Sequence, residues 1–331
     1  MKNVRSMSAR RGLALGWIVT SLAGCVIRTA APDPAPLGWT RRADPFAYRP
    51  NEFPFTLAAA PEEAPGFATW MLDYPSHDTA DTKNPSVHAV LRYPHAGSDA
   101  LIVVLPILGG DYSETDYFAR GLADRGFATL RFDRKADVLD SEGDFQLVAR
   151  RIRNTVVDVR RGIDLLASGS PLARQPMAFS RVGLLGISLG SMIGSLIAAY
   201  DPRVDATALV LTGGDFAEVL DHARDEVEVK AFLAGLESRG YDADRIRHEA
   251  HWYLDAVDPL RHAASLDPST TLMVQGRFDP IVPFDVGTWL WEAAHRPERV
   301  VLPTGHYSAV LFLPYIEGLI EDHFERHLAP H

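Results

Sequence analysis

Cysteine is almost missing from this chain: among 331 residues there is one, Cys25. An intramolecular disulfide is therefore impossible. Clusters of Lys and Arg are missing from the body of the chain, and the formal net charge is −10. Nucleic acid thus has no electrostatic footprint to bind, and no nucleic-acid partner is implied. The acidic balance speaks to solubility and leaves the substrate open. A long apolar run is missing too: the stretch Gly12 to Ala23 is too short to span a bilayer comfortably. No internal repeat is evident. The composition, 47% hydrophobic and 23% charged, is that of an ordinary globular protein and argues against chain-wide disorder. The length suits one large α/β domain or two small ones.

The short apolar stretch follows Lys2, Arg5, Arg10 and Arg11, with no acid among them, and ends in Leu22-Ala23-Gly24-Cys25. A basic segment followed by a short apolar one marks a secretory signal. Its last four residues resemble the lipobox of bacterial lipoproteins. That resemblance implies cleavage just before Cys25, lipid attachment at Cys25, and a membrane partner. Several acyl chains hold a protein at a membrane where one would not. A plain secretory signal cut near Ala30 or Ala31 is the alternative. Loss of residues 1–24 takes four positive charges and no negative one, leaving −14. Val26 stands where Asp often marks inner-membrane retention in lipoproteins. The resemblance therefore favours the outer membrane of the cell envelope, in a source that has one.

Val26 to Pro50 is rich in Pro and Ala and reads as an extended tether, with residues 51–66 draped over a domain surface. Strand-like runs at Phe67–Tyr74 and Val87–Tyr93, separated by a polar turn, suggest a hairpin. From Ala100 onward strands and helices alternate. The strands are Leu101–Leu105, Phe127–Phe132, Val182–Ile187, Ala206–Leu211, Thr271–Gln275 and Arg299–Leu302. The helices are Thr115–Gly126, Asp144–Ser168, Leu189–Tyr200, Phe284–His295 and Tyr307–Leu328. Val148, Ile152, Val156, Val159, Ile163 and Leu166 form one apolar stripe at helical spacing. Alternating units of this kind build a mostly parallel sheet with helices on both faces. Between Gly213 and Asp267 no strand signal occurs. Charged amphipathic helices, for example Phe216–Leu236 and Asp242–Asp255, make this insertion, about 214–267, a candidate helical cap.

Gly186-Ile187-Ser188-Leu189-Gly190 lies between a strand and a helix, the setting of a nucleophile elbow. Gly186 and Gly190 lack the Cβ atoms that a tight turn would bring into collision. A serine hydroxyl needs a base within hydrogen-bond reach, and the base needs an acid to hold its tautomer. Gly276-Arg277-Phe278-Asp279-Pro280-Ile281-Val282-Pro283 follows a strand directly, and Pro303-Thr304-Gly305-His306-Tyr307 follows the next. Each lies on the same sheet edge as Ser188.

On these three motifs, residues from about 67 to 328 resemble an α/β-hydrolase, nearest to the dienelactone hydrolase and acyl-esterase branches. The resemblance implies Ser188 as nucleophile, Asp279 as orienting acid and His306 as general base and acid. It implies an oxyanion hole from two backbone N–H groups. One belongs to Leu189. The other comes from the loop Pro106-Ile107-Leu108-Gly109-Gly110, with Leu108 favoured over Ile107. This loop begins Pro-Ile where the family often has His-Gly.

Other residues compete for roles. Asp215, after Gly213-Gly214, also follows a strand and is a rival acid. Asp133 and Arg134 end a strand near the same edge, and the resemblance implies a structural role for them. His248-Glu249-Ala250-His251 and His323-Phe324-Glu325-Arg326-His327 have the wrong spacing for a zinc helix and read as solvated helix faces. Trp252, Tyr253 and Phe232 are helix-packing aromatics or cap-pocket residues. The sequence thus suggests a lipid-anchored, secreted serine hydrolase acting on a carboxylic ester or related small-molecule acyl substrate, with no metal or organic cofactor implied. Acyl transfer, thioester or peptide cleavage with the same residues, and a non-catalytic binding lipoprotein, are the alternatives.

Overall fold

Short apolar runs bounded by turn residues become the middle of a single sheet. A computed structural model describes residues 26–31, 42–109, 112–134, 138–167 and 179–328. The signal segment, Cys25 and residues 32–41 of the expected tether lie outside the described residues. The strands are β1 (Ile27–Thr29), β2 (Thr56–Glu63), β3 (Phe67–Pro75), β4 (Ser86–Pro94), β5 (Ala100–Leu105), β6 (Ala128–Phe132), β7 (Arg181–Ile187), β8 (Val204–Val210), β9 (Thr271–Gly276) and β10 (Glu298–Leu302). They pair in the order β1-β10-β9-β8-β7-β5-β6-β4-β3-β2. From β10 to β6 all neighbours are parallel; β1, β4, β3 and β2 add antiparallel strands at the two sides. Every residue of β5, β6, β9 and β10 is buried, as strands covered on both faces must be.

The described α-helices are α1 (Ser113–Asp124), α2 (Phe145–Leu166), α3 (Leu189–Tyr200), α4 (Phe216–His222), α5 (Val227–Ser238), α6 (Ala243–Leu254), α7 (Pro259–His262), α8 (Phe284–Ala293) and α9 (Leu313–Leu328). Two apolar clusters divide them between the sheet's faces. One gathers α2, α3, α8 and the insertion; the other gathers α1 and α9. All six positions of the expected α2 stripe are buried, and Asp144 caps the helix by accepting from Leu147 N at 2.9 Å. The helices after β5 and β7, which are neighbours in the sheet, leave to opposite faces. That reversal opens a crevice at the carboxyl ends of β5 and β7, where open α/β sheets bind ligands.

Three expectations about the secondary structure and the tether need correction. The segment read as a tether packs on the domain over residues 27–29 and 42–50. Ile27–Thr29 pairs with β10, and Glu298 receives a hydrogen bond from Arg28 Nε at 2.8 Å. Burial opposes ionisation of Glu298, but the Arg326 and Arg28 guanidinium groups overcome it and hold the carboxyl below its ordinary range. Phe46 is wholly buried, Asp44 pairs with Arg160 at 2.8 Å, and Tyr48 donates to Asp164 at 2.6 Å. The apolar area of Phe46 and these buried ion contacts outweigh the extended bias of the prolines. Residues 56–63, expected to drape over the domain surface, form β2 on the edge of β3.

The second correction concerns the insertion, where Phe216–Leu236 is two helices. The break at Ala223–Glu226 turns α5 so that Phe232 packs edge-on against Phe145 of α2, with ring centroids 5.2 Å apart. The third is the closing helix, which begins at Leu313 after a 3-10 turn over Tyr307–Phe312. Pro314 explains this: inside a continuous helix it would remove a hydrogen bond and strike a preceding carbonyl, whereas a first turn tolerates it.

Candidate active site

Ser188 ends β7 and starts α3 with φ +52° and ψ −121°. A non-glycine residue holds such a conformation only where its surroundings enforce it. Here Ser188 N donates to Val210 O at 2.9 Å and Ser188 O accepts from Ser191 N at 2.9 Å. The flanking glycines make the turn possible. A Cβ on Gly186 would lie 2.3 Å from Gly190 O, and one on Gly190 would lie 2.4 Å from Leu105 O and 2.6 Å from Pro106 O. The second contact seats the start of α3 directly against the end of β5.

Asp279 and His306 arrive from the ends of β9 and β10. Their loops are laced together: Phe278 N donates to Thr304 O at 3.0 Å and Arg277 N to Leu302 O at 2.8 Å. Asp279 Oδ1 accepts from Ile281 N and Val282 N, each at 2.9 Å. Asp279 Oδ2 lies 2.7 Å from His306 Nδ1, and His306 Nε2 lies 3.0 Å from Ser188 Oγ. The Asp279 side chain is 1% exposed and that of His306 is 11% exposed. With Asp279 ionised, Nδ1 carries the proton and Nε2 offers its lone pair to the serine hydroxyl. Such a chain can accept the serine proton during attack on a carbonyl and return it to a leaving group.

The loop after β5 forms the facing wall. Ile107, Leu108 and Gly109 line a cavity of about 440 Å³ together with Ser188, Leu189 and His306. Leu189 is the first residue of α3, where backbone N–H groups have no partner within the helix. Arg134 Nη1 donates to Gly109 O at 3.0 Å, and its guanidinium lies over the Tyr112 ring. The Tyr112 hydroxyl accepts from Arg134 N at 3.3 Å. Arg134, read from sequence as architecture, is thus the brace of this loop. Asp133 serves Arg131 instead, at 2.6 Å.

The insertion roofs the cavity. Phe216, Val219, Leu220, Ala223, Val227 and Val229 from α4, α5 and their junction face Met192, Ile281 and Val282 from the body. The lining is mainly apolar and of a volume usual for small-molecule sites. Two acids, on α5 and just before it, meet the loops beneath the roof. The Tyr307 hydroxyl donates to Glu226, which pushes the phenol up to about 12. Glu228 lies so close to Gly109 that a Cβ there would meet its Oε1 at 2.6 Å. Neither acid had a signal in the sequence, because each is recognised only by what it meets across the cavity. Behind the wall formed by Ile107, Leu108, Val138 and Leu189 lies a second cavity of about 290 Å³.

The rival residues are engaged elsewhere. Asp215 caps α4, accepting from Glu218 N at 3.2 Å. Its own N–H donates to Asp258 at 2.8 Å. Burial raises the Asp258 carboxyl against three backbone donors that favour its charge. His251 stands 3.8 Å from Asp215, and His323 is buried beside Thr270 O at 3.2 Å. The expectation that His323 lies on a solvated face is thereby corrected; α9 turns it onto the sheet, with 1% exposure. Among the described residues no three His, Cys, Asp or Glu side chains form a metal-binding group. Phe232 is wholly buried while Trp252 is 72% exposed, and neither lines the cavity.

The sheet order, the crossovers and the polar residues at the ends of β7, β9 and β10 define an α/β-hydrolase fold. Solved structures share it. An acetyl xylan esterase from a Paenibacillus species superposes with a TM-score of 0.64 at 17% identity, covering 84% of this chain and 90% of that one. An acetyl xylan esterase from a Thermoanaerobacterium species gives 0.62 at 16% identity, covering 83% and 89%. An esterase from Pyrococcus furiosus gives 0.52 at 13%, covering 83% and 93%. No family model and no curated protein matches the sequence.

Proposed function

We propose that the protein is a serine hydrolase that cleaves a carboxylic ester through an acyl-enzyme intermediate. One observation carries this reading: the unbroken hydrogen-bond chain Asp279–His306–Ser188 at the floor of an apolar cavity. Ser188 Oγ attacks the ester carbonyl as His306 Nε2 takes its proton. Leu189 N–H and, from the facing loop, Leu108 N–H receive the developing oxyanion. His306 then protonates the departing alkoxide, and water repeats the sequence to release the acid. Asp279 keeps the imidazole in the tautomer this requires. The esterase names of the structural neighbours agree with this reading at the level of the reaction.

The test is labelling by a fluorophosphonate. The folded protein should be phosphonylated at Ser188, and Ser188→Ala should stay unlabelled. Folded protein that takes no label would overturn the proposal.

We also propose that Cys25 carries a lipid that holds the enzyme on a membrane of the cell envelope, the outer one where the source has two. Leu22-Ala23-Gly24-Cys25 after a basic, apolar leader supports it. Detergent phase partition of the wild type and Cys25→Ser tests it. The wild type should enter the detergent phase and the variant should not; equal partition would reject the anchor.

A further inference from the structure

We propose that the sheet edge bearing Ser188, Asp279 and His306 docks on the phospholipid surface of the membrane that holds the anchor, seated through Phe278, Tyr307, Val310, Leu311 and Tyr315. The inference rests on the anchor at Cys25 and goes further, because it fixes which face of the enzyme meets the lipid.

Register supplies the first argument. β1 runs antiparallel to β10, with Ile27 opposite Val301, Arg28 opposite Val300 and Thr29 opposite Arg299. The N-terminal end of β1 therefore lies beside the C-terminal end of β10, whose next loop carries His306. Val26 packs on the apolar cluster that contains Ala309 and Ile316. Cys25 is bonded to Val26, and successive Cα atoms are about 3.8 Å apart. Val26, the described residue that follows Cys25 in the chain, thus lies at the edge that carries His306. β1 itself is held there, since Arg28 is bound by Glu298 and Glu298 by Arg326 at 2.9 Å.

Surface chemistry supplies the second. Leu311 is 79% exposed, Phe278 70%, Tyr307 68%, Val310 54% and Tyr315 43%. Tyr307, Val310 and Leu311 lie on the turn that follows His306, Tyr315 lies in the first turn of α9, and Phe278 precedes Asp279. From Val310 to Tyr315 no residue is charged. Large apolar side chains gathered at one place on a surface mark an interaction site. Tyr, with an apolar ring and a polar hydroxyl, suits the boundary between headgroups and acyl chains, and Phe and Leu suit the acyl region beneath it. The chain is acidic, so attraction to anionic lipid does not drive this contact, and neutral phosphatidylcholine should suffice. An ester dissolved in the bilayer would then lie at the cavity mouth.

The experiment uses the full-length chain in phosphatidylcholine vesicles with one thiol-reactive fluorophore. Lipidation occupies the sulfur of Cys25, so Leu311→Cys supplies the labelling site. Ala96→Cys, exposed between β4 and β5 at the opposite edge, is the control. A lipid-borne quencher should quench the label at 311 several-fold more than the label at 96, and aqueous iodide should do the reverse. Iodide quenching both labels equally would overturn the docking. A label at 311 shielded from both quenchers would also overturn it, in favour of a protein contact such as a second copy. Failure of the anchor looks different: the wild-type chain stays in the aqueous phase and its own Cys25 takes the fluorophore.

Discussion

Arg134 donates from Nη1 to the backbone oxygen of Gly109 at 3.0 Å, tying the loop after β6 to the loop after β5. The second loop is the one asked to aim an N–H at the developing oxyanion. Loss of a whole oxyanion donor costs about 10²–10³ in rate, so loosening one should cost less, about tenfold in kcat. Arg134→Ala should therefore lower kcat with little change in KM, because the defect acts on the transition state. Arg134→Lys should recover part of the rate. Steady-state kinetics on a soluble ester decide it; a higher KM at unchanged kcat would mean that Arg134 shapes ground-state binding instead.

Asp279→Asn isolates the orienting role. Both oxygens of Asp279 are committed, Oδ1 to two backbone N–H groups and Oδ2 to His306. An amide can keep the Oδ1 bonds but presents an N–H to the imidazole if it does. His306 must then carry its proton on Nε2, where it cannot accept from Ser188. In the serine protease where this substitution is best known, kcat falls by about 10⁴ with the geometry intact. A loss of about 10³–10⁴ in kcat with near-normal thermal unfolding is expected here. Unfolding at room temperature would show that the acid is needed for the fold itself.

The sequence made the candidate site legible because each motif couples a strand end to a required residue type. Gly186 and Gly190 are dictated by backbone atoms only 2.3 to 2.7 Å from an added Cβ, and a local turn leaves a local signature. The α2 stripe was legible for the same reason, since its period lies within one helix. The edge strand Ile27–Thr29 was not. Its partner is some 270 residues away, with Arg28 meeting Glu298 at a separation of 270, and three residues carry no periodicity. Phe46 was obscured by the prolines around it. Arg134 and Glu228 are polar residues whose meaning lies in a contact with Gly109, which no spacing encodes.

Gly190→Ala probes the seat of α3 on β5. The added methyl would lie 2.4 Å from Leu105 O and 2.6 Å from Pro106 O, both backbone atoms that cannot swing away. Overpacking at a rigid site costs up to about 3 kcal/mol. Urea denaturation should show that scale of loss, together with loss of fluorophosphonate labelling as Leu189 shifts from the facing loop. Gly318→Ala on α9 is the control, since an added Cβ there meets nothing within 4 Å. It should be neutral or stabilising by about 0.5–1 kcal/mol, the helix preference of Ala over Gly. Equal losses in the two variants would contradict the packing account.

His323 predicts how stability responds to acid. Burial strips its imidazole of water, and His327 and Arg326 add to the opposition, lowering its pKa to about 3. Neutral His323 donates from Nε2 to Thr270 O, while Nδ1 is buried with no hydrogen-bond partner among the described residues. In the unfolded chain the same group titrates near its ordinary value of about 6.5. Between these values the unfolded state binds the extra proton, so stability rises with pH across that window. The contribution is complete above about pH 6.5 and drains away as the pH falls toward 3. At pH 5 the loss from this group amounts to about 2 kcal/mol relative to pH 7. Urea unfolding of the wild type and His323→Gln at both pH values measures it. The glutamine variant can keep the bond to Thr270 O but cannot titrate, so its decline from pH 7 to pH 5 should be smaller by that amount. Identical declines would mean that His323 already carries a proton in the folded state, against its burial.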